Sequence, residues 1–268
     1  MSNSNSILNT LEAVCEVVAS ASRYISDEFR QLGLIPVEKK GSNDLVSYVD
    51  RETEKLIVRE LRKIRPEASF ETEEGTSGTA GSNTYDHVYW TVDPLDGTTN
   101  FLHGFPVFSI SVALVSEGVP ILGVVRDVMG ERTYAASAGN GAWSDETQLH
   151  VSETREFSDG LFAVEHSYEW DDRAIRGARA ATVLQSTTHG VRTIGSAALG
   201  IAAVAEGAID GFYAYCLKPW DVTAGIVLVT EAGGTVTDFL GHPCVPFNGQ
   251  IAATNGHMHN KFLKTITE

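Results

Sequence analysis

Apolar residues recur every three or four positions between Ile7 and about Leu32, at Leu11, Val14, Val18, Ala21, Ile25 and Phe29. That spacing predicts a long amphipathic helix. A second helix is expected over Arg51 to Ile64, capped by Asp50, with Leu56, Ile57 and Leu61 turned inward and Pro66 just past its end. Lys39-Lys40-Gly41-Ser42-Asn43-Asp44 between them reads as a polar turn, and Gly75 to Asn83, almost all Gly, Ser, Thr and Ala, as a mobile loop. The pattern then becomes extended. His87 to Val92 reads as a strand, and Phe108 to Val115, Ile121 to Val128 and Arg132 to Ala136 as a meander, with turns at Gly118-Val119-Pro120 and Met129-Gly130. Leu161 to Glu165 is a further strand. Helices are expected around Asp172 to Leu184, Ala197 to Glu206 and Thr223 to Glu231, with short strands at Gly211 to Tyr215, Thr235 to Phe239 and Ile251 to Ala253. This alternation predicts a layered α/β protein with helices packed on sheets. No solenoid-length repeat or long linker interrupts it, so one domain is expected, with halves at about 1–155 and 156–268.

Composition narrows the class. With 268 residues, 43% of them hydrophobic, the chain can bury a substantial core. Its formal charge of −15 repels nucleic acid, anionic lipid and, at long range, a phosphate substrate. A phosphate site would therefore need its own local positive charge, and metal ions are the obvious source. Cys15, Cys216 and Cys244 form no CxxC pair, which fits a reducing compartment and argues against structural zinc or a disulfide framework. The first residues lack the basic-then-apolar order of a signal peptide, and apolar runs such as Val107 to Val115 are too short to span a bilayer. A soluble cytoplasmic protein is the expectation.

Chemistry concentrates in Asp93-Pro94-Leu95-Asp96-Gly97-Thr98-Thr99-Asn100-Phe101. A strand ends just before it and a short helix can begin near Thr98. Asp93 and Asp96 then sit at a strand end, with Pro94 stiffening the turn, Gly97 allowing close approach, and the amides of Gly97 and Thr98 available to phosphate oxygens. Two carboxylates and the Leu95 carbonyl are hard oxygen donors, suited to Mg²⁺ rather than Zn²⁺. An isolated Asp-Gly-Thr would be read as a tight turn; the nine-residue run with both carboxylates favours a functional reading.

This segment resembles the first motif of the inositol monophosphatase family, within the lithium-sensitive, magnesium-dependent phosphatases. Glu73-Glu74-Gly75, twenty positions before Asp93, is similar to the family's acidic pair, and Trp220-Asp221-Val222-Thr223-Ala224-Gly225 to its second motif. Gly195-Ser196-Ala197-Ala198 resembles the helix start that approaches substrate oxygens there. Each has a plainer reading: a solvated acidic pair for Glu73 and Glu74, a helix cap for Asp221, an ordinary helix entry for Gly195-Ser196. The resemblance covers nearly the whole chain and implies a layered αβαβα sandwich of the inositol monophosphatase and fructose-1,6-bisphosphatase type, usually a homodimer. It implies two or three Mg²⁺ ions, with Mn²⁺ able to substitute. Glu73, Asp93 and the Leu95 carbonyl would hold one, Asp93, Asp96 and Asp221 a second, and a weaker third would lie near Glu73. Glu73, Asp50 and Thr98 are the implied catalytic residues, Thr98 and Asp50 forming a dyad that orients the attacking water, although Asp50 competes as a helix cap. Asp96, Gly97, Thr98, Gly195, Ser196 and Asp221 are the implied substrate contacts. No Cys or Ser need attack phosphorus, so no covalent intermediate is expected.

The resemblance thins at the alcohol end of the substrate. Inositol-specific members tend to carry a Glu seven residues before the second-motif Asp, where it binds ring hydroxyls; here that residue is Ala214. A pocket missing this partner discriminates less well for a hydroxyl-rich ring. Thr99-Asn100 stands where relatives acting on adenosine 3′,5′-bisphosphate more often have Lys-Glu, which favours an inositol or sugar phosphate. His166, His189, Arg192 and Lys218 are further candidates to touch the alcohol portion, although a surface position is the favoured reading of His166, and Lys218 reads also as a turn cap or the partner of an acid. Inositol 1-phosphate or a related sugar phosphate leads. Fructose 1,6-bisphosphate, histidinol phosphate and adenosine 3′,5′-bisphosphate are alternatives on the same metal site. A different class of role, as a partner of the transcription machinery, follows from some bacterial relatives; the retained carboxylates disfavour a purely structural part, and the acidic surface disfavours direct RNA contact.

Overall fold

The computed structural model describes residues 2–31, 37–40, 44–76, 87–166, 171–244 and 249–268. The predicted long helix is α1 (Ser2–Arg30), with Val14, Val18 and Ile25 fully buried. Each such side chain contributes about 1.5–3 kcal/mol by leaving water, so packing decides the helix more than propensity does. A hairpin, β1 (Val37–Lys40) and β2 (Asp44–Ser47), follows. Lys39, Lys40 and Asp44 lie in its strands rather than in a turn, and positions 41–43 are outside the described residues. So is most of the predicted mobile loop, positions 77–83. Helix α2 (Tyr48–Ile64) begins earlier than the pattern implied. Asp50 therefore lies in its first turn, buried, instead of capping it.

Next come β3 (Ser69–Thr72), β4 (Val88–Asp96), the short α3 (Thr98–Leu102), and the meander β5 (Ser109–Ser116), β6 (Val119–Asp127) and β7 (Arg132–Ser137). Two small strands, β8 (Ala142–Ser144) and β9 (Thr147–Gln148), complete a sheet in the order β3-β4-β5-β6-β7-β8-β9. Among the described residues of this sheet only β3 and β4 pair in parallel. The β5–β6 turn is Glu117-Gly118, both at positive φ, as a tight twisted hairpin requires. Val119 and Pro120, assigned to that turn from sequence, lie inside β6, with Pro120 at a register shift where a strand tolerates proline.

The second sheet has the order β11-β10-β12-β14-β13. It comprises β10 (Leu161–Glu165), β11 (Gly190–Arg192), β12 (Gly211–Tyr215), β13 (Thr235–Thr237) and β14 (Gln250–Thr254). Its helices are α4 (Asp172–Thr187), α5 (Ala197–Ala205), α6 (Pro219–Glu231) and α7 (His259–Thr267). Three apolar clusters define the layers. One joins α1 and α2 to the outer face of the first sheet. A second packs α5 and α6 between the sheets. The third packs α4 and α7 on the far face of the second sheet. The result is the αβαβα sandwich expected. Gly123 lets the middle layer close: a Cβ there would stand 2.5 Å from the Ala224 carbonyl oxygen of α6. The middle of α6 is thereby pressed against β6 of the first sheet.

At the start of α7 His259 is buried between the hydroxyls of Thr237 and Thr254, 2.9 Å from each ring nitrogen. Thr237 donates to the Asp238 carbonyl and so accepts from Nε2–H, leaving Nδ1 to accept from Thr254. Burial pushes the imidazole below its usual range. Below the unfolded value of about 6.5 the unfolded chain takes up a proton that the folded one refuses, so this contribution is complete above that pH and is lost as pH falls toward the folded value. Urea unfolding at pH 7.5 and 5.5 should show a larger loss in wild type than in His259→Gln; equal losses would refute it.

Candidate active site

Strand β4 ends in an irregularity that gathers carboxylates. Its pairing with β5 runs Asp93↔Ser111 and then Asp96↔Ser109, so Pro94 and Leu95 bulge from the ladder. Asp93 Oδ1 accepts the Leu95 N–H at 2.9 Å, which fixes the turn. Gly97 follows at φ 101, and its missing Cβ would lie 2.9 Å from the Gly195 carbonyl oxygen and 3.2 Å from Phe108 Cβ. Only glycine serves both needs. Thr98, opening α3, donates its hydroxyl to the Leu95 carbonyl at 3.0 Å.

Other elements bring the remaining acids to this turn. Thr72 of β3 registers with Val92 of β4, and the Glu73 N–H bonds the Val92 carbonyl at 3.2 Å, so Glu73 lies alongside Asp93. Ser111, opposite Asp93, donates to the Trp220 carbonyl at 3.0 Å and holds the first turn of α6 there. Asp221 stands in that turn rather than at the cap: the helix starts at Pro219, and the Asp221 carboxylate accepts the Lys218 N–H at 2.7 Å. Pro at the first helical position is the signal that could have placed this start from sequence. Asp96 reaches α5, accepting from Ser196 Oγ at 2.5 Å, Ala198 N–H at 2.8 Å and Ala197 N–H at 3.2 Å. Ser196 also caps α5 by accepting from Leu199 N–H. Two helix N-termini therefore face the turn with their partial positive charge.

The electrostatics follow from crowding. Burial, then repulsion from Asp221, Asp50 and Glu74, holds the Glu73 carboxyl well above its usual range. Burial, then Glu73, Asp96 and Asp221, does the same to Asp93. Burial raises Asp96, opposed by its bonds to Ser196, Ala198 and Ala197. Asp221 is pushed up to about 7 by burial and Asp96. Asp93 interacts electrostatically with both Glu73 and Asp221. Asp93 is buried, whereas Glu73, Asp96 and Asp221 each keep some exposed surface. The predicted carboxylates thus converge, and Asp50 joins them through Glu73.

A hard divalent cation fits this donor set: four crowded carboxylates and a carbonyl, all oxygen, raising one another's proton affinity. Among the described residues no three His, Cys, Asp or Glu side chains stand in an arrangement that could hold a metal ion as they are; the acids bond the backbone and Ser196 instead, so the fit rests on the chemistry of the donor set.

Of the residues suggested for the alcohol end, His166, His189 and Arg192 are all exposed, His166 just after β10 with its imidazole pushed down by partial desolvation. Lys218 is exposed and caps α6, its backbone N–H bonded to the Asp221 carboxylate and its charge lowering Asp221. Ala214 is fully buried and registers with Glu165 of β10.

Glu165 and Asn100 are functional supports that the sequence reading missed. Glu165 Oε1 accepts from Ile194 N–H at 2.9 Å and Gly195 N–H at 2.7 Å. Asn100 donates to the Ile194 carbonyl at 3.0 Å and to the Val107 carbonyl at 2.8 Å. Together they clamp the segment leading to Ser196. Burial raises the Glu165 carboxyl to about 7, the Gly195 and Ile194 N–H groups opposing it. Glu165→Ala should lower stability by about 2 kcal/mol, since two part-buried donors lose their acceptor, whereas Glu165→Gln keeps an oxygen for both and should stay close to wild type. Urea midpoints of the two variants check this; equal shifts would refute the clamp.

The inositol monophosphatase family model matches residues 8–268. A fructose-1,6-bisphosphatase/inositol-1-monophosphatase of Thermotoga maritima is 36% identical over 87% of this chain and 86% of its own length. The Nus factor SuhB of Escherichia coli is 35% identical over 96% of each. The crystal structure of the extragenic suppressor protein suhB from Bartonella henselae superposes with a TM-score of 0.87 at 32% identity, covering 100% of this chain and 99% of that one. With its acidic turn, converging helix starts and layered sheets matched along almost its full length, the chain belongs to the inositol monophosphatase family.

Proposed function

We propose that the protein is a Mg²⁺-dependent phosphatase that hydrolyses a small phosphate monoester, inositol 1-phosphate or a related sugar phosphate. The observation that carries this reading is the convergence of Glu73, Asp93, Asp96 and Asp221 at the irregular end of β4. Glu73, Asp93, the Leu95 carbonyl, Asp96 and Asp221 would hold the ions. When bound, Mg²⁺ neutralises phosphoryl charge and makes water easier to deprotonate. The chain supplies the rest. Asp50, buried and near enough to Glu73 to raise its carboxyl, is the proton acceptor near the attacking water, and Thr98, whose hydroxyl proton goes to the Leu95 carbonyl, orients that water by accepting from it. The α5 start fixes Asp96 through three donors. The Gly97, Thr98, Gly195 and Ser196 backbone borders the place for the phosphoryl group. Ala214 offers no hydrogen-bonding side chain to the alcohol portion, which supports tolerance of several polyol phosphates.

Phosphate release from inositol 1-phosphate, fructose 1,6-bisphosphate, histidinol phosphate and adenosine 3′,5′-bisphosphate, with and without Mg²⁺, tests the proposal. The highest kcat/KM is expected for inositol 1-phosphate or the sugar phosphate, with inhibition by Li⁺. Turnover undiminished by a chelator would overturn it. A homodimer is also proposed by family resemblance, with light scattering as its check. The name of the E. coli relative supports a second reading, a partner of the transcription machinery bound through protein contacts. A pull-down from extract, run beside the phosphatase assay on the same preparation, separates the two.

A further inference from the structure

Helix α2 presents Asp50 and Glu54 one turn apart on one face, and both are buried. Glu54, with no exposed surface, spends both carboxylate oxygens on one short segment. Oε2 accepts the Glu74 N–H at 2.7 Å, and Oε1 accepts the Thr76 N–H at 2.7 Å and the Thr76 hydroxyl at 2.6 Å. A buried carboxylate with this many donors is a fixed strut. The segment it grips, residues 74–76, directly follows Glu73, whose own N–H is tied to β4 beside Asp93. Residues 73–76 are thus held from two sides, by strand β4 and by helix α2. Because Asp50 sits on the same rigid helix, the grip of Glu54 also sets the separation between Asp50 and Glu73.

We propose that Glu54 is a positioning residue that registers Glu73 against Asp50 and Asp93, and so sets the affinity of the acidic cleft for a divalent cation. This rests on the metal-dependent reading above. Glu54 touches neither substrate nor ion in this role; it acts through the backbone of residues 74–76. Glu54→Gln keeps the shape but leaves one acceptor oxygen for donors that now use two, and turns an NH₂ group toward an N–H. Thr76→Val removes the hydroxyl bond alone.

Titration calorimetry with MgCl₂ on the full-length protein gives the first readout. The Mg²⁺ dissociation constant should rise about tenfold in Glu54→Gln, as when a ligand's supporting partner is lost, and about threefold in Thr76→Val. The second readout is kinetic: at saturating Mg²⁺ both variants should recover wild-type kcat with an unchanged KM for substrate. A purely stabilising role would lower the melting temperature without moving the Mg²⁺ constant. Glu54→Gln binding Mg²⁺ as tightly as wild type would overturn the proposal alone, as would a kcat deficit that Mg²⁺ does not repair. If Glu54→Gln fails to fold, Thr76→Val decides, and a wild-type constant there overturns it. Absence of Mg²⁺ uptake by the wild-type protein would overturn the metal reading and this proposal with it.

Discussion

Asp93→Asn should lower kcat/KM by about 10³-fold or more while the chelator-treated protein melts no lower than wild type. The size follows from the chemistry: a bound cation supplies several kcal/mol of charge stabilisation, and each loss of about 1.4 kcal/mol is tenfold in rate. Asp93 is central because Glu73, Asp96 and Asp221 all act on it electrostatically. The fold should survive because Asn keeps the oxygen that accepts the Leu95 N–H. Stability should even improve without metal. A carboxyl whose folded pKa is raised, as that of Asp93 is by burial and its neighbours, loses stability as pH climbs from its unfolded value of about 3.9 through the folded one. At neutral pH the ionised cluster therefore repels itself, and the neutral amide removes one member. Melting curves in a chelator, beside kinetics in Mg²⁺, give both numbers. Wild-type turnover in Asp93→Asn would remove the metal-site argument, and a large drop in its melting temperature would assign Asp93 to the fold instead.

Why Asp93 was legible and Glu54 was not is a matter of range. The run Asp93 to Phe101 holds its carboxylates, its proline and its glycine within nine residues, so the local chain already brings the donors together. The strands Leu161 to Glu165 and Gly211 to Tyr215 are bounded by strong apolar content and agree with the structure to the residue. By contrast Glu54 looks like any acid on a polar helix face, and its role appears only when a segment twenty residues away folds onto it. Glu165 is read from sequence as a strand end, yet its partners lie near position 195. Strand β3 carries Glu71 and only one large apolar residue, Phe70, so its extended state depends on parallel pairing with β4. Helix α7 was missed because Phe262 and Ile266 are too few to set a period alone; their burial against α4 and the second sheet supplies what the pattern lacks. Local chemistry was readable, and the props that hold it were not, because each is a contact between distant parts of the chain.

Gly97→Ala is expected to be the most damaging small substitution at the site. Two separate effects add there. A φ of 101 is a backbone state that a Cβ opposes, costing about 1–2 kcal/mol. The new methyl would also lie 2.9 Å from the Gly195 carbonyl oxygen, 3.1 Å from that of Val107 and 3.2 Å from Phe108 Cβ, and overpacking of this kind costs about 1–3 kcal/mol. A loss near 3 kcal/mol should lower the melting temperature by roughly 6–12 °C in a chain of this size. Activity should fall further than stability alone explains. The crowded carbonyl belongs to Gly195, next to Ser196, which holds Asp96 at 2.5 Å, so relief of the clash moves the α5 start away from the acidic turn. The control is Gly118→Ala, also at positive φ but with nothing within 4 Å of the added carbon. It should lose the backbone part of the stability and keep wild-type kcat. If the two variants melt alike and turn over alike, close contact at Gly97 does not hold the two sheets' contributions to the site in register.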